Sequence, residues 1–102
     1  MVIKWKKKER GRIHLTGIKL DNEQLVILHK LGYDFLYKHA LTSLDVHVNK
    51  QHGIWRIALK VAVNHHQWLS AEAENSRFDF TLKDAFKKLE IKIAQFRKSF
   101  VP

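Results

Sequence analysis

The sequence predicts an α+β domain of order β-α-β-β-β-α, a single four-stranded sheet with two helices packed on one face. Three observations carry that expectation. Two segments, Asp21 to about His39 and Ser76 to Phe100, space their apolar residues by three and four, the repeat of a helix with about 3.6 residues per turn. Four other segments alternate apolar with polar residues, as half-buried strands do. The one proline in the 102 residues is Pro102, so nothing breaks these elements from within.

Residues 1–11 form a basic N-terminal arm, with Val2, Ile3 and Trp5 able to add an edge strand and a lysine run and Gly11 favouring a mobile segment. The folded domain then spans 12–102. Its first strand, Arg12 to Leu20, sets Ile13 and Leu15 against His14 and Thr16 and bends at Gly17. Asp21 and Gln24 make a capping-box pair at the start of the first helix. Leu25, Leu28, Leu31, Phe35 and Leu36 fall on its buried side, together with Gly32, which calls for close approach by a neighbour. Leu44 to Asn49 and Trp55 to Val63 pair as a hairpin about the loop Lys50-Gln51-His52-Gly53. After Asn64-His65-His66-Gln67 a fourth strand runs from Trp68 to Glu74. Ser76 is placed to cap the last helix, with Asp79 as its reciprocal partner.

That helix has two sides. Phe78, Leu82, Ala85, Phe86, Leu89, Ile93, Phe96 and Phe100 ask for a core. Lys83, Lys87, Lys88, Lys92, Arg97 and Lys98 make a basic ridge across from them, against Asp84 and Glu90. The arm is equally lopsided: Lys4, Lys6, Lys7, Lys8, Arg10 and Arg12 stand against Glu9 alone. The whole chain carries a formal charge of +9, which suits a polyanionic partner such as nucleic acid. Lys and Arg on a rigid face neutralise phosphates and release counterions, giving salt-sensitive affinity without base specificity.

Other classes lack their marks. There is no cysteine, so disulfides and thiolate metal sites are excluded. The seven histidines show no HExxH-like spacing, so no metal is expected and their added charge at mildly acidic pH is the better account. Gly11, Gly17, Gly32 and Gly53 are isolated and form no phosphate loop. His14, His47, Arg56, Lys60, Glu72 and Glu74 share the open sheet face, where cross-strand ion pairs explain them without catalysis. A non-enzymatic, cofactor-free protein is expected. The longest aliphatic run, Leu25 to Leu28, is far short of a membrane span, so a cytoplasmic location and no membrane partner are expected.

Some residues keep two readings. Trp5 either stacks on a base or packs on the domain edge. Tyr33 and Tyr37 either meet RNA or a protein partner, or pack with Phe80 and Ile91 between the helices.

The element order, with Ala71-Glu72-Ala73-Glu74 in the fourth strand, Lys88-Leu89-Glu90 in the last helix and Leu15-Thr16-Gly17 ending the first strand, resembles the ribosome hibernation-promoting factors, or ribosome-associated inhibitor (sigma-54 modulation) family. The likeness covers roughly residues 12–100. It departs at Arg77 and Asp79, where the family often has an acid and a tyrosine, and in helix 1, where only Lys30 and Lys38, with His29 and His39, replace a richer basic set. The chain looks like a short form, with neither an acidic tail nor a dimerising second domain. The resemblance implies binding to small-subunit rRNA in the decoding region, on 70S or 100S ribosomes, blocking the mRNA and tRNA path and silencing translation under stress. It carries a contact role to Lys88, Arg97 and Lys98; Lys83, Lys87 and Lys92 extend the ridge, and Lys30, Lys38 and the arm residues Lys4, Lys6, Lys7, Lys8 and Arg10 are further candidates. The alternative is a general module for double-stranded or structured RNA, which typically has a basic loop entering the last helix; the loop here, Glu74-Asn75-Ser76-Arg77, carries no net charge and counts against it. A third is a protein-interaction module using the two tyrosines.

Overall fold

The structure, a computed structural model, describes residues 11–64 and 66–98. The order is β1 (Arg12–Gly17), α1 (Asn22–Lys38), β2 (Ser43–Gln51), β3 (Ile54–Ala62), β4 (Trp68–Asn75) and α2 (Phe78–Lys98). The strands lie in that sequence across one mixed sheet: β1 is parallel to β2, and the other two pairings are antiparallel. Both helices cover the same face. The expected architecture is the observed one.

Each boundary has a local cause. β1 stops at Gly17, whose φ of +100° is open to glycine; a Cβ there would collide with the Val48 carbonyl. Asp21 then starts α1 with the reciprocal cap: Gln24 N–H donates to Asp21 Oδ1 at 2.8 Å, and Asp21 N–H donates to Gln24 Oε1 at 3.0 Å. Gly32 lets α1 settle on the sheet, because a Cβ at that position would stand 2.6 Å from Ile13 Cδ1 on β1.

α1 ends without a glycine. Ala40 takes the left-handed conformation, φ +54°, while Leu41 N–H donates to Leu36 O at 2.8 Å and Ala40 N–H to Tyr37 O at 3.3 Å. This pair of bonds is a Schellman stop built on alanine.

Three expectations change in detail. The hairpin loop is only His52-Gly53, both with positive φ (53° and 78°), the pattern of a type I′ turn; β2 and β3 therefore extend further than their hydrophobic alternation implies. β3 ends at Ala62, before Val63. Ser76 does not cap α2. Its hydroxyl donates to Asn75 Oδ1 at 3.5 Å, and the same oxygen accepts Arg77 N–H at 3.1 Å, so an Asn75 side-chain turn leads into the helix. Asp79 Oδ1 accepts from Phe80 N–H instead.

The core lies between sheet and helices. Leu44, Val46, Val48, Ile57, Leu59 and Val61 of the central strands are fully enclosed, as are Leu28 of α1 and Leu82, Leu89 and Ile93 of α2. Leu25 and Leu31, expected inside, are half-buried at the rim. The arm residues before Gly11, and Phe100, lie outside the described residues.

The caps give opposite expectations. Ala40→Gly removes the left-handed penalty and is expected to raise stability by about 1 kcal/mol, whereas Gly17→Ala is expected to cost more than about 2 kcal/mol. Urea unfolding of both variants checks this; equal shifts of the same sign would contradict it.

Candidate nucleic-acid interface

α1 and α2 run parallel over the sheet. Their first turns, Asp21, Glu23, Phe78 and Asp79, border one cleft at one end of the domain. Their last turns meet at the other end, where the Arg97 guanidinium donates to the His39 carbonyl. Charge follows this axis. Glu23 and Asp79 sit in the first turns, Lys38, Arg97 and Lys98 in the last, each complementing the helix dipole. Gly11 stands beside Tyr33 and Leu36 in the C-terminal half of α1. The segment carrying Lys4, Lys6, Lys7, Lys8 and Arg10 is therefore joined to the domain at its cationic end.

The predicted ridge divides into three. Phe78, Leu82, Ala85, Phe86, Leu89 and Ile93 are buried, which fixes the rotation of α2. Lys83, Lys87 and Lys98 then project from the side opposite the core, and among the described residues they have no acidic partner. Lys88 and Lys92 lean the other way, over the edge of the sheet. Lys92 Nζ donates to the Ser70 carbonyl at 2.6 Å and Lys88 Nζ to that of Glu72 at 3.3 Å, with Asp84 also 3.4 Å from Lys88. These two contacts occupy main-chain acceptors of edge strand β4. Arg97 leans toward α1. The six cations thus do not form one uniform face.

Helix α1 contributes less. Lys38 pairs with Glu90 across the helices at 2.7 Å, and His39 Nε2 lies 3.2 Å from the same carboxylate, its ring tilted on Phe35. Lys30 is exposed. Burial of Tyr37, Phe80 and Ile91 between the helices does not occur: they are 91%, 48% and 51% exposed, and Tyr33 alone packs against the core. The helices touch instead through Phe35 and Phe86, with ring centroids 5.1 Å apart, and this contact leaves the outer sides apart.

A ribosomal subunit interface protein from Coxiella burnetii matches this structure with a TM-score of 0.69 at 15% identity, covering 85% of this chain and 98% of that one. The N-terminal domain of Thermus thermophilus Protein Y matches with a TM-score of 0.67 at 12% identity, covering 83% and 94%. The chain has the fold of these two proteins. No family model and no curated protein matches the sequence.

The shared fold is the one that the Leu15-Thr16-Gly17, Ala71-to-Glu74 and Lys88-Leu89-Glu90 stretches imply. Two of those stretches have evident structural work here: Gly17 ends β1, and Lys88 ties α2 to β4 while Glu90 ties it to α1. On the open face, Arg56 pairs with Glu74 directly across from it, as the alternation suggests. Among the described residues Lys60 reaches no carboxylate; its Nζ sits 4.9 Å from the centre of the Trp68 ring. The alternation that Trp68 shares with Ser70, Glu72 and Glu74 puts it on the open face, and its exposed ring is a surface feature that the charge pattern does not signal. Among the described residues no three His, Asp or Glu side chains gather as a metal set. None of the described helices is long and apolar enough to cross a membrane.

Glu90 is the electrostatic pin between the helices. The hydrogen bond from Lys38, chiefly, holds its carboxyl below the usual carboxylate range; burial opposes it, and the charge of Lys38 and the hydrogen bond and charge of His39 add to the lowering. A carboxylate depressed on folding stabilises the native state above its unfolded pKa and loses that contribution as pH falls through the folded value. Glu90→Gln should therefore flatten the acid limb of a stability–pH curve measured below the usual carboxylate range. An unchanged acid limb would contradict the assignment.

Proposed function

We propose that this chain is a non-catalytic, cytoplasmic ribosome-binding protein that docks on small-subunit rRNA and restrains translation. The observation that carries this reading is the fold it shares, over more than four-fifths of its length, with a protein described as a ribosomal subunit interface protein. The charge distribution supports it. Lys83, Lys87 and Lys98 are the principal phosphate contacts, because they are the α2 cations left without an acidic partner among the described residues. Lys30 and the arm extend the same field. Lys38, Lys88, Lys92 and Arg97 hold the helices and β4 in place and reach RNA only by giving up or sharing those bonds. Recognition is then by RNA shape and backbone, in the decoding region where mRNA and tRNA pass.

The general RNA-binding reading has one observation on its side: mixed charge around the first turns of α1 and α2 limits the cationic area to one side and one end. The two readings separate on a sucrose gradient. The native chain is expected to migrate with small subunits or whole ribosomes and to leave them as salt rises. Lys83→Glu, Lys87→Glu and Lys98→Glu together should abolish migration, and each single Ala variant should flatten the log–log salt dependence by about one unit. Lys88→Ala and Lys92→Ala should weaken binding less than Lys83→Ala and Lys87→Ala. Tight binding to a short RNA duplex with no ribosome association would overturn the ribosomal reading.

A further inference from the structure

The open face of the sheet, remote from α2, carries an aromatic ring that no packing requirement explains. Trp68 opens the edge strand β4 and is 49% exposed. A tryptophan so placed loses much of the hydrophobic gain it would have inside. Its surroundings are shallow and cationic. Ala62 is its partner across β3, Ser70 follows it on the same face, and Lys60, opposite Ser70, lays its ammonium against the indole. Across the sheet at the same end stand Arg12 and Ser43, paired on β1 and β2. Of the carboxylates on this face, Asp45 lies between His14 and Lys60, Glu72 is four residues along β4 and Glu74, six along, is held by Arg56. Lys60, Arg12 and the ring therefore share one end, with Asp45 beside Lys60, while Arg56 and both glutamates lie toward the other.

We propose that this end of the open face binds an unpaired RNA strand, with one base stacked on Trp68 and the adjacent phosphates met by Lys60 and Arg12. An indole bordered by small side chains offers a flat platform, and stacking on it suits any base. A duplex cannot use it, because paired bases keep their faces inside the helix. Lys60, whose ammonium lies over the ring, is within reach of a phosphate of the same nucleotide once a base takes its place. The site lies on the other side of the sheet from Lys83, Lys87 and Lys98, so it does not rest on the ribosomal reading of α2.

Fluorescence anisotropy of labelled decauridylate, titrated with the full chain in dilute buffer, tests the proposal. Trp68→Ala is expected to weaken binding about 5- to 150-fold, the range for loss of one base–aromatic stack. Trp68→Phe, which keeps a ring, should recover most of it, and Lys60→Ala should reduce both affinity and salt dependence. Val26→Ala, at an exposed position of α1 away from the site, should change the affinity far less than Trp68→Ala. Native-like binding by Trp68→Ala, or Trp68→Phe as weak as Trp68→Ala, would overturn the assignment. So would a native chain that ignores the oligonucleotide, which would leave the ring to a protein partner.

Discussion

Two small side chains decide how the rest of this domain is arranged. Ala71 and Ala73 are the inward residues of β4, and both are buried beneath α2. With larger residues there the helix would ride higher and the lysines on its flank would hang in solvent. Because it lies low, Leu82, Leu89 and Ile93 close over β3 and β4, and Lys88 and Lys92 reach the β4 main chain. Burial of three such aliphatic side chains contributes several kcal/mol, on the order of 1.5–3 each, so helix rotation is set by the core and not by charge. Which cations face outward follows from that rotation.

The consequence is a smaller and more polar exposed cationic surface than a net charge of +9 suggests. Ion pairs and main-chain contacts engage Lys38, Arg56, Arg77, Lys88, Lys92 and Arg97. Exposed pairs of this kind are individually worth little, and their main effect is to orient side chains. What remains is a crest of lysines along α2, an end where both helices finish, and the point where the basic arm is attached. Phe80 and Ile91 interrupt the crest, so any RNA lying along it meets apolar patches between its phosphate contacts.

The fold was largely readable because its elements rest on local rules: alternation at β2, β3 and β4, a capping box at Asp21, and three-and-four spacing in both helices. The misreadings arose where two local signals competed. Ser76 and Asp79 match a capping box as well as Asn75 matches a side-chain turn, and only the geometry of the β4–α2 corner selects the latter. The stop at Ala40 carries no residue signal, since alanine is not the expected occupant of a left-handed position. The site was half legible. Spacing alone places Lys83, Lys87, Lys88 and Lys92 on one polar arc, but which members of the arc bend back onto β4 depends on how closely the sheet edge approaches. That is a tertiary fact. Burial of Tyr37, Phe80 and Ile91 failed for the same reason, because the helices touch through Phe35 and Phe86 and spread apart above them.

Direct imaging of the chain bound to a small ribosomal subunit by electron cryomicroscopy would test the account at its centre. The outer side of α2 is expected against the rRNA backbone, with Lys83, Lys87 and Lys98 at hydrogen-bond distance from phosphate oxygens and Lys92 still on the Ser70 carbonyl. A bound chain with that side of α2 turned to solvent, or a well-populated subunit preparation with no chain on it, would contradict it.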